Sequence, residues 1–238
     1  MIDLEICTPI MTKEIMSNKH LIYATGNYGK IKEIGRHFGF HGIPVSPLSD
    51  FVSVKLNPDE TGATLGENAF IKATAYAEEL VRNQSLRGKS FTVISDDTGV
   101  FIDGLGGEPG IRVRRWIGRE MTDEEIIAFT LLRTQGLTGD QRNAKFRTVL
   151  CMIGVDEDGI MTEHQTTEGF LDGYILETAH PTRVVGFPFE SLFYSTKYDM
   201  ILGDLHRLPD EKKRAGMFNH REQAIELAVP IIKARLGT

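Results

Sequence analysis

The apolar positions fall into short runs whose periods change along the chain, and the periods predict the elements. Residues 21–25, LIYAT, form a continuous apolar run of strand length. The next segment, NYGKIKEIGRHFGF, places Ile31, Ile34 and Phe38 at helical intervals. It predicts an amphipathic helix with Gly39 and Gly42 as stops. Residues 44–63 hold three prolines and scattered acids, and read as mostly loop. From Thr64 a second helix begins. Ala69, Ala73, Tyr76, Ala77 and Leu80 make its apolar stripe, and Thr64 with Glu67 has capping-box spacing. FTVIS (91–95) predicts a strand that runs straight into Asp96 and Asp97, followed by a short strand or turn over 100–105.

GLGGEPGI (104–111) is a glycine-rich loop, and residues 122–135 predict a helix capped by Thr122 or Asp123. Residues 144–155 are β-rich and should pair, as a hairpin across DEDG, with a strand over part of 160–168. GFPFESLFY (186–194) reads as an aromatic loop or strand. Residues 219–236 predict a C-terminal helix kinked at Pro230. This order of elements predicts an α/β fold on a mixed sheet. The expected organisation is an N-terminal extension, residues 1–20, and a single domain over 21–238.

Composition narrows the class. The chain has 238 residues, 41% hydrophobic and 25% charged. That is ordinary globular usage, with enough length to bury a core without staples. The formal net charge of −6 argues against a nucleic-acid backbone as partner, because that needs a concentrated basic surface. A local cluster of Lys and Arg, helped by a divalent metal, can still hold a small anion. Cys7 and Cys151 are far apart and in no metal-type spacing, which fits a reducing cytosol. No apolar run approaches the ~18 residues of a membrane span, and the N-terminal stretch lacks the apolar region of a signal peptide. The expectation is a soluble, cytoplasmic protein with neither nucleic acid nor membrane as partner.

Five segments could carry chemistry. TGNYGK (25–30) ends a strand and opens a helix, so glycines and a helix N-terminus would cradle an anion beside Lys30. An ordinary turn with a solvated lysine would look the same. SDDTG (95–99) puts two adjacent acids after an apolar strand, where side chains alternate between faces. Asp96 and Asp97 therefore need not share a role: one can fix the loop or hold metal while the other faces a ligand. A turn cluster is the plain alternative. PDETGATLGENAFIKA (58–73) offers Glu60, Glu67 and Lys72; Glu67 is better explained by capping, and Lys72 could be a snorkelling surface lysine. NHR (219–221) sets His220 and Arg221 against the dipole at a helix start, which an anionic ligand or a neighbouring carboxylate would explain. GFPFE (186–190) offers Phe187 and Phe189 as core residues, or one of them as a stacking platform beside a carboxylate.

Taken in order, TGN-x-GK, ETG…ENA-x-x-KA, DDTG, LGGEPGI…R, GF…F and HR resemble the inosine triphosphate pyrophosphatase family over roughly residues 21–228. The resemblance implies an elongated two-lobed α/β fold on a long mixed sheet, a homodimer, and Mg²⁺-dependent hydrolysis of ITP, dITP and XTP to monophosphate and pyrophosphate. Mn²⁺ would accept the same oxygen ligands. It implies that Thr25, Gly26, Asn27, Lys30 and Lys72 hold the triphosphate and that Glu60 binds metal. It makes Asp97 the base and a second metal ligand, with Lys72 part of the catalytic group. Thr98 and Arg115 would contact substrate, Phe187 would stack on the base, and His220 and Arg221 would lie near its 6-oxo group. The family's GFGYDP is GFPFES here, so Glu190 stands for an aspartate at the base. The lysine usually found five residues before His-Arg is Ala215, with Lys213 or Arg214 as possible substitutes. The changed loop leaves open the same chemistry on another modified base, or a nucleotide sensor without catalysis.

Overall fold

A computed structural model describes residues 19–53 and 56–237. In chain order the elements are β1 (Lys19–Tyr23), α1 (Tyr28–Phe40), β2 (Ser46–Pro47), α2 (Leu65–Arg82), β3 (Ser90–Ile102), β4 (Pro109–Gly110) and α3 (Asp123–Arg133). There follow β5 (Asn143–Val155), β6 (Gln165–Ile175), β7 (Phe193–Ser195), β8 (Met200–Ile201), α4 (Leu202–His206), α5 (Asp210–Arg214) and α6 (His220–Leu236). The strands make one mixed sheet in the order β2-β1-β3-β5-β6-β7-β8, with β4 on the far half of β3. β1 runs parallel to β2 and β3; the remaining pairs are antiparallel.

The alternation of β3 decides the layering. Val93 turns to one face, where Ala69, Ala73, Ala77 and Leu80 of α2 cover it. Ile94 turns to the other face, against Ile34 and Phe38 of α1 and Ile225, Ala228 and Ile232 of α6. A third cluster lies beyond the acids, where Val100, Ile102, Phe146 and Leu171 meet Ile126 of α3 and the Phe189–Phe193 segment. The sheet thus spans two lobes, as expected. The predicted capping box forms, Thr64 with Glu67, and Thr122, expected as a cap, makes a second one with Glu125. Among the described residues no helix is long and apolar enough to cross a membrane. Cys151 is a buried free thiol; Cys7 lies outside the described residues.

Two expectations need correction. β3 does not end before the acids but continues through them to Ile102, because β5 pairs along its whole length, from Phe91 against Val155 to Ile102 against Ala144. Cations on both faces make that tolerable. The strand expected in 160–168 runs over 165–175 instead. Residues 156–164 make a turn on Asp156 and a single bridge, Val155 to Met161, while Thr162 and Gln165 receive Arg235 of α6. Helix α6 runs to Leu236 with Pro230 inside it, over the predicted range.

Candidate active site

The cleft forms where the two lobes meet, with a volume of about 860 Å³. Its floor is the middle of β3. Asp96 shares a face with Ile94 and therefore meets α1, α6 and β1. Its Oδ2 accepts from Lys30 Nζ at 2.8 Å and from Arg221 Nε at 3.3 Å, and its Oδ1 accepts from the Tyr23 hydroxyl. Burial by itself would raise the Asp96 carboxyl. Lys30, Arg221 and Lys72 outweigh it and hold the group well below the usual carboxylate range. Asp97 shares a face with Val93 and meets α2 instead. Lys72 Nζ donates to its Oδ1 at 2.8 Å and Asn68 Nδ2 reaches its Oδ2 at 3.5 Å. Here burial wins over Lys72, and the Asp97 carboxyl is raised.

Glu60 joins from the loop before α2, 3.4 Å from Lys72 Nζ and 3.5 Å from Arg115. Lys72 is thus shared by two carboxylates. Burial would lower its ammonium, but Asp97, Asp96 and Glu60 raise it, so it stays charged. On the opposite wall, Asn27 caps α1 by accepting from Lys30 N at 3.2 Å. The Lys30 ammonium is lowered by burial, against the pull of Asp96.

The start of α6 sits directly on β6. A Cβ at Gly169 would collide with the His220 carbonyl, so glycine lets helix and strand touch. This contact fixes His220 and Arg221. Arg221 donates to buried Glu33 of α1 at 2.5 Å as well as to Asp96 and Thr98. Glu33 also accepts from Asn219, the cap of α6, at 2.6 Å. Burial would raise Glu33, yet Arg221 above all brings it down to about 2. Thr98 and Thr148 share a 2.7 Å hydrogen bond, Thr148 meets His220 Nδ1 at 2.7 Å, and the His220 ring stacks on Phe146.

The other end of the cleft is aromatic and acidic. Phe187 has Arg221 5.6 Å from its ring centre and His206 edge-on at 5.2 Å. His206 Nδ1 lies 2.5 Å from Glu190 Oε1, while Glu190 Oε2 is buried with no partner. Burial raises the Glu190 carboxyl. His206 loses by burial and gains more from Glu33 and Glu190, so its imidazole is raised.

The family model described as Ham1 matches residues 21–231. The chain belongs to the Ham1 family. Among curated proteins it is 34% identical to the dITP/XTP pyrophosphatase of Geobacillus kaustophilus, over 87% of this chain and 91% of that one. It is 32% identical to the dITP/XTP pyrophosphatase of Bacillus subtilis, over 91% and 98%. Among solved structures, the Staphylococcus aureus Ham1 protein superposes with a TM-score of 0.65 at 28% identity, over 91% of this chain and 99% of that one. A HAM1 protein from Coxiella burnetii gives 0.68 at 25% identity, over 90% and 98%.

Every residue singled out from the Ham1-type motifs lines the cleft: Thr25, Gly26, Asn27, Lys30, Glu60, Lys72, Asp97, Thr98, Arg115, Phe187, Glu190, His220 and Arg221. Two readings change. His220 and Arg221 do not bring two unbalanced positive charges. Burial and Arg221 lower the His220 imidazole well below its ordinary value, and Glu33 and Asp96 already balance Arg221. Nor does either substitute for the missing lysine line the cleft. Lys213 is wholly buried on Glu222 at 2.5 Å, and Arg214 lies over Phe40. Sequence reasoning missed Glu33, His206 and Thr148. Glu33 had a usable signal, being one turn past Lys30 on the same helix face; His206 had none.

Proposed function

We propose that this chain hydrolyses ITP, dITP and XTP to the nucleoside monophosphate and pyrophosphate. The observation that carries the reading is the division of Asp96 and Asp97 between the faces of β3. It sets a cationic wall (Lys30) and a lysine-bridged carboxylate pair (Glu60, Asp97) on two sides of one cleft. The activity named for the relatives agrees with it.

In this reading the triphosphate lies along Thr25, Gly26, Asn27 and Lys30, at the N-terminus of α1, where backbone N–H groups and the helix dipole favour an anion. Lys72 and Arg115 add charge from the facing wall. A water oxygen attacks the α-phosphorus, the bond to the α–β bridging oxygen breaks, and pyrophosphate leaves. Asp97, raised by burial, accepts the proton of the attacking water. Lys72 holds Asp97 in place and faces the charge that develops. Asp96 takes no proton; it fixes Lys30 and Arg221. Most of the acceleration comes from positioning and electrostatics.

Glu60 and Asp97 fit a hard divalent cation, because both present carboxylate oxygens at the cleft and both converge on one ammonium. Mg²⁺, or Mn²⁺, held there would neutralise phosphate charge and polarise the phosphoryl oxygens.

Phe187 stacks on the base, while Glu190 and His206 face its edge. A 6-oxopurine presents an N1–H donor beside an O6 acceptor. The free Glu190 oxygen would accept from the first and a protonated His206 would donate to the second. A 6-aminopurine reverses both groups and leaves buried polar atoms unpaired. The family resemblance adds a homodimer, which light scattering of the purified chain would check.

The test is pyrophosphate release from ITP, dITP, XTP and ATP, with and without Mg²⁺. Metal-dependent release from the first three and little from ATP is expected, with Asp97→Asn and Glu60→Gln each losing about 10²- to 10⁴-fold. Full activity in either variant removes the assigned roles. Tight ITP binding without turnover in the wild type would replace the enzyme by a sensor.

A further inference from the structure

The C-terminal half of α1 and the middle of α6 carry a cluster that hydrolysis leaves unused. His37 and His41 stand four residues apart on α1, so their rings leave the same helix face. Glu226 reaches them from α6. His37 Nε2 lies 2.6 Å and His41 Nε2 2.7 Å from one atom, Glu226 Oε1. Two ring nitrogens and a carboxylate oxygen therefore lie within 4.8 Å of one another, and among the described residues no other three His, Cys, Asp or Glu side chains do so. None of the three lines the cleft.

The cluster is built like a ligand set. His37 is buried, and its Nδ1 has no hydrogen-bond partner. The ring is held edge-on between Phe40 at 5.5 Å and Phe218 at 5.1 Å, with Glu226 at its Nε2. That leaves Nε2 aimed at the gap between the helices. The His41 and Glu226 side chains are 27% and 31% exposed, so an ion can enter and water can complete its shell.

The geometry points to a site for a first-row transition-metal dication, zinc foremost, bound by His37 Nε2, His41 Nε2 and a Glu226 carboxylate oxygen. Two imidazoles and one carboxylate select Zn²⁺, Co²⁺ or Ni²⁺ over the harder Mg²⁺. Tetrahedral Zn²⁺ with bonds of about 2.0–2.1 Å holds its ligand atoms about 3.3 Å apart. Glu226 would withdraw by roughly 0.7 Å to admit it, a small motion for a partly exposed side chain. The ion would join α1 to α6, one turn from the point where Glu33 of α1 holds Arg221 of α6. It is a clamp behind the cleft rather than a reactant, and by binding only the folded chain it raises stability.

The test uses the full chain stripped with chelator, then titrated with Zn²⁺ and with Co²⁺. Calorimetry should give one Zn²⁺ per chain, and unfolding should shift upward with Zn²⁺. Co²⁺ should give a visible absorption band of low-coordinate geometry. His41→Ala and Glu226→Ala should each weaken binding at least tenfold and abolish the band, while Asp97→Asn leaves both intact. His41→Ala should also keep Mg²⁺-dependent pyrophosphate release, which separates loss of the clamp from loss of folding. Absence of binding, equal binding in His41→Ala, or loss of binding in Asp97→Asn would each overturn the assignment.

Discussion

Gly29 offers a direct way to test the base end of the cleft without touching a charged group. It is the second residue of α1, and the Phe187 ring lies against it. A Cβ built there would stand 3.1 Å from Phe187 Cζ and closer still to Cε2. Carbon pairs rest at about 3.5–4.0 Å, so the ring must move by roughly 1 Å. The ring yields rather than the helix, because the atoms met are the far edge of a side chain that can turn about its own bonds. Folding should tolerate Gly29→Ala, since alanine favours a helix over glycine, by less here than the roughly 1 kcal/mol of an interior position. Base binding loses. Base–aromatic stacking contributes about 1–3 kcal/mol, so losing half to all of it raises KM for ITP about 5- to 100-fold. The value of kcat should change little, since Lys30, Lys72 and Asp97 keep their places.

The assay is steady-state pyrophosphate release for wild type, Gly29→Ala, Phe187→Ala and the double variant, with thermal unfolding alongside. If Gly29 acts through the ring, the double variant is no worse than Phe187→Ala alone. Additive losses would mean that residue 29 acts on the phosphates instead. An unchanged KM in Phe187→Ala would mean that the ring does not stack on the base.

Two further outcomes are expected. Replacing His206 by Ala removes the partner that orients Glu190, so the preference for ITP over ATP should fall about 5- to 100-fold, corresponding to roughly 1–3 kcal/mol for mispaired buried groups; an unchanged ITP/ATP ratio would exclude His206 from base selection. Glu33 is held at about 2 against an ordinary 4.5, and a depressed carboxyl stabilises the fold above its unfolded value and loses that contribution as pH falls. The thermal midpoint should therefore drop from about pH 4.5 toward pH 2, and Glu33→Gln should be less stable at neutral pH with a flatter acid profile. Parallel profiles would show that the Glu33–Arg221 pair does not govern acid stability.

Much of the fold was legible because local signals agreed with the final packing. The stripe Ala69, Ala73, Tyr76, Ala77 and Leu80 needed a helix, and Thr64 with Glu67 marked its start. The end of β3 was not legible. Two acids read as the close of a strand, and only the cations arriving from α1, α2 and α6 keep them inside it. The short elements β8, α4 and α5 carry too few residues for any period to show. β8 and α4 hold because Leu202 and Leu205 pack into the second lobe, and α5 because its Lys213 is buried on Glu222.

The sequence by itself determined the class of fold and most of the inventory of the cleft, because motif glycines, acids and lysines keep fixed spacings within single elements. It also determined that Asp96 and Asp97 face opposite ways, since strand geometry alternates side chains whatever surrounds them. Only the tertiary structure decided what each acid meets. Asp96 is tied to α1 across 66 residues of chain and to α6 across 125, and Asp97 to α2. It alone decided that His220 is neutral and Lys213 is spent on Glu222. It also set Glu190 against His206 at the aromatic end of the cleft. Charge state and pairing depend on burial and on neighbours from distant segments, and neither is encoded in the spacing of residues along the chain.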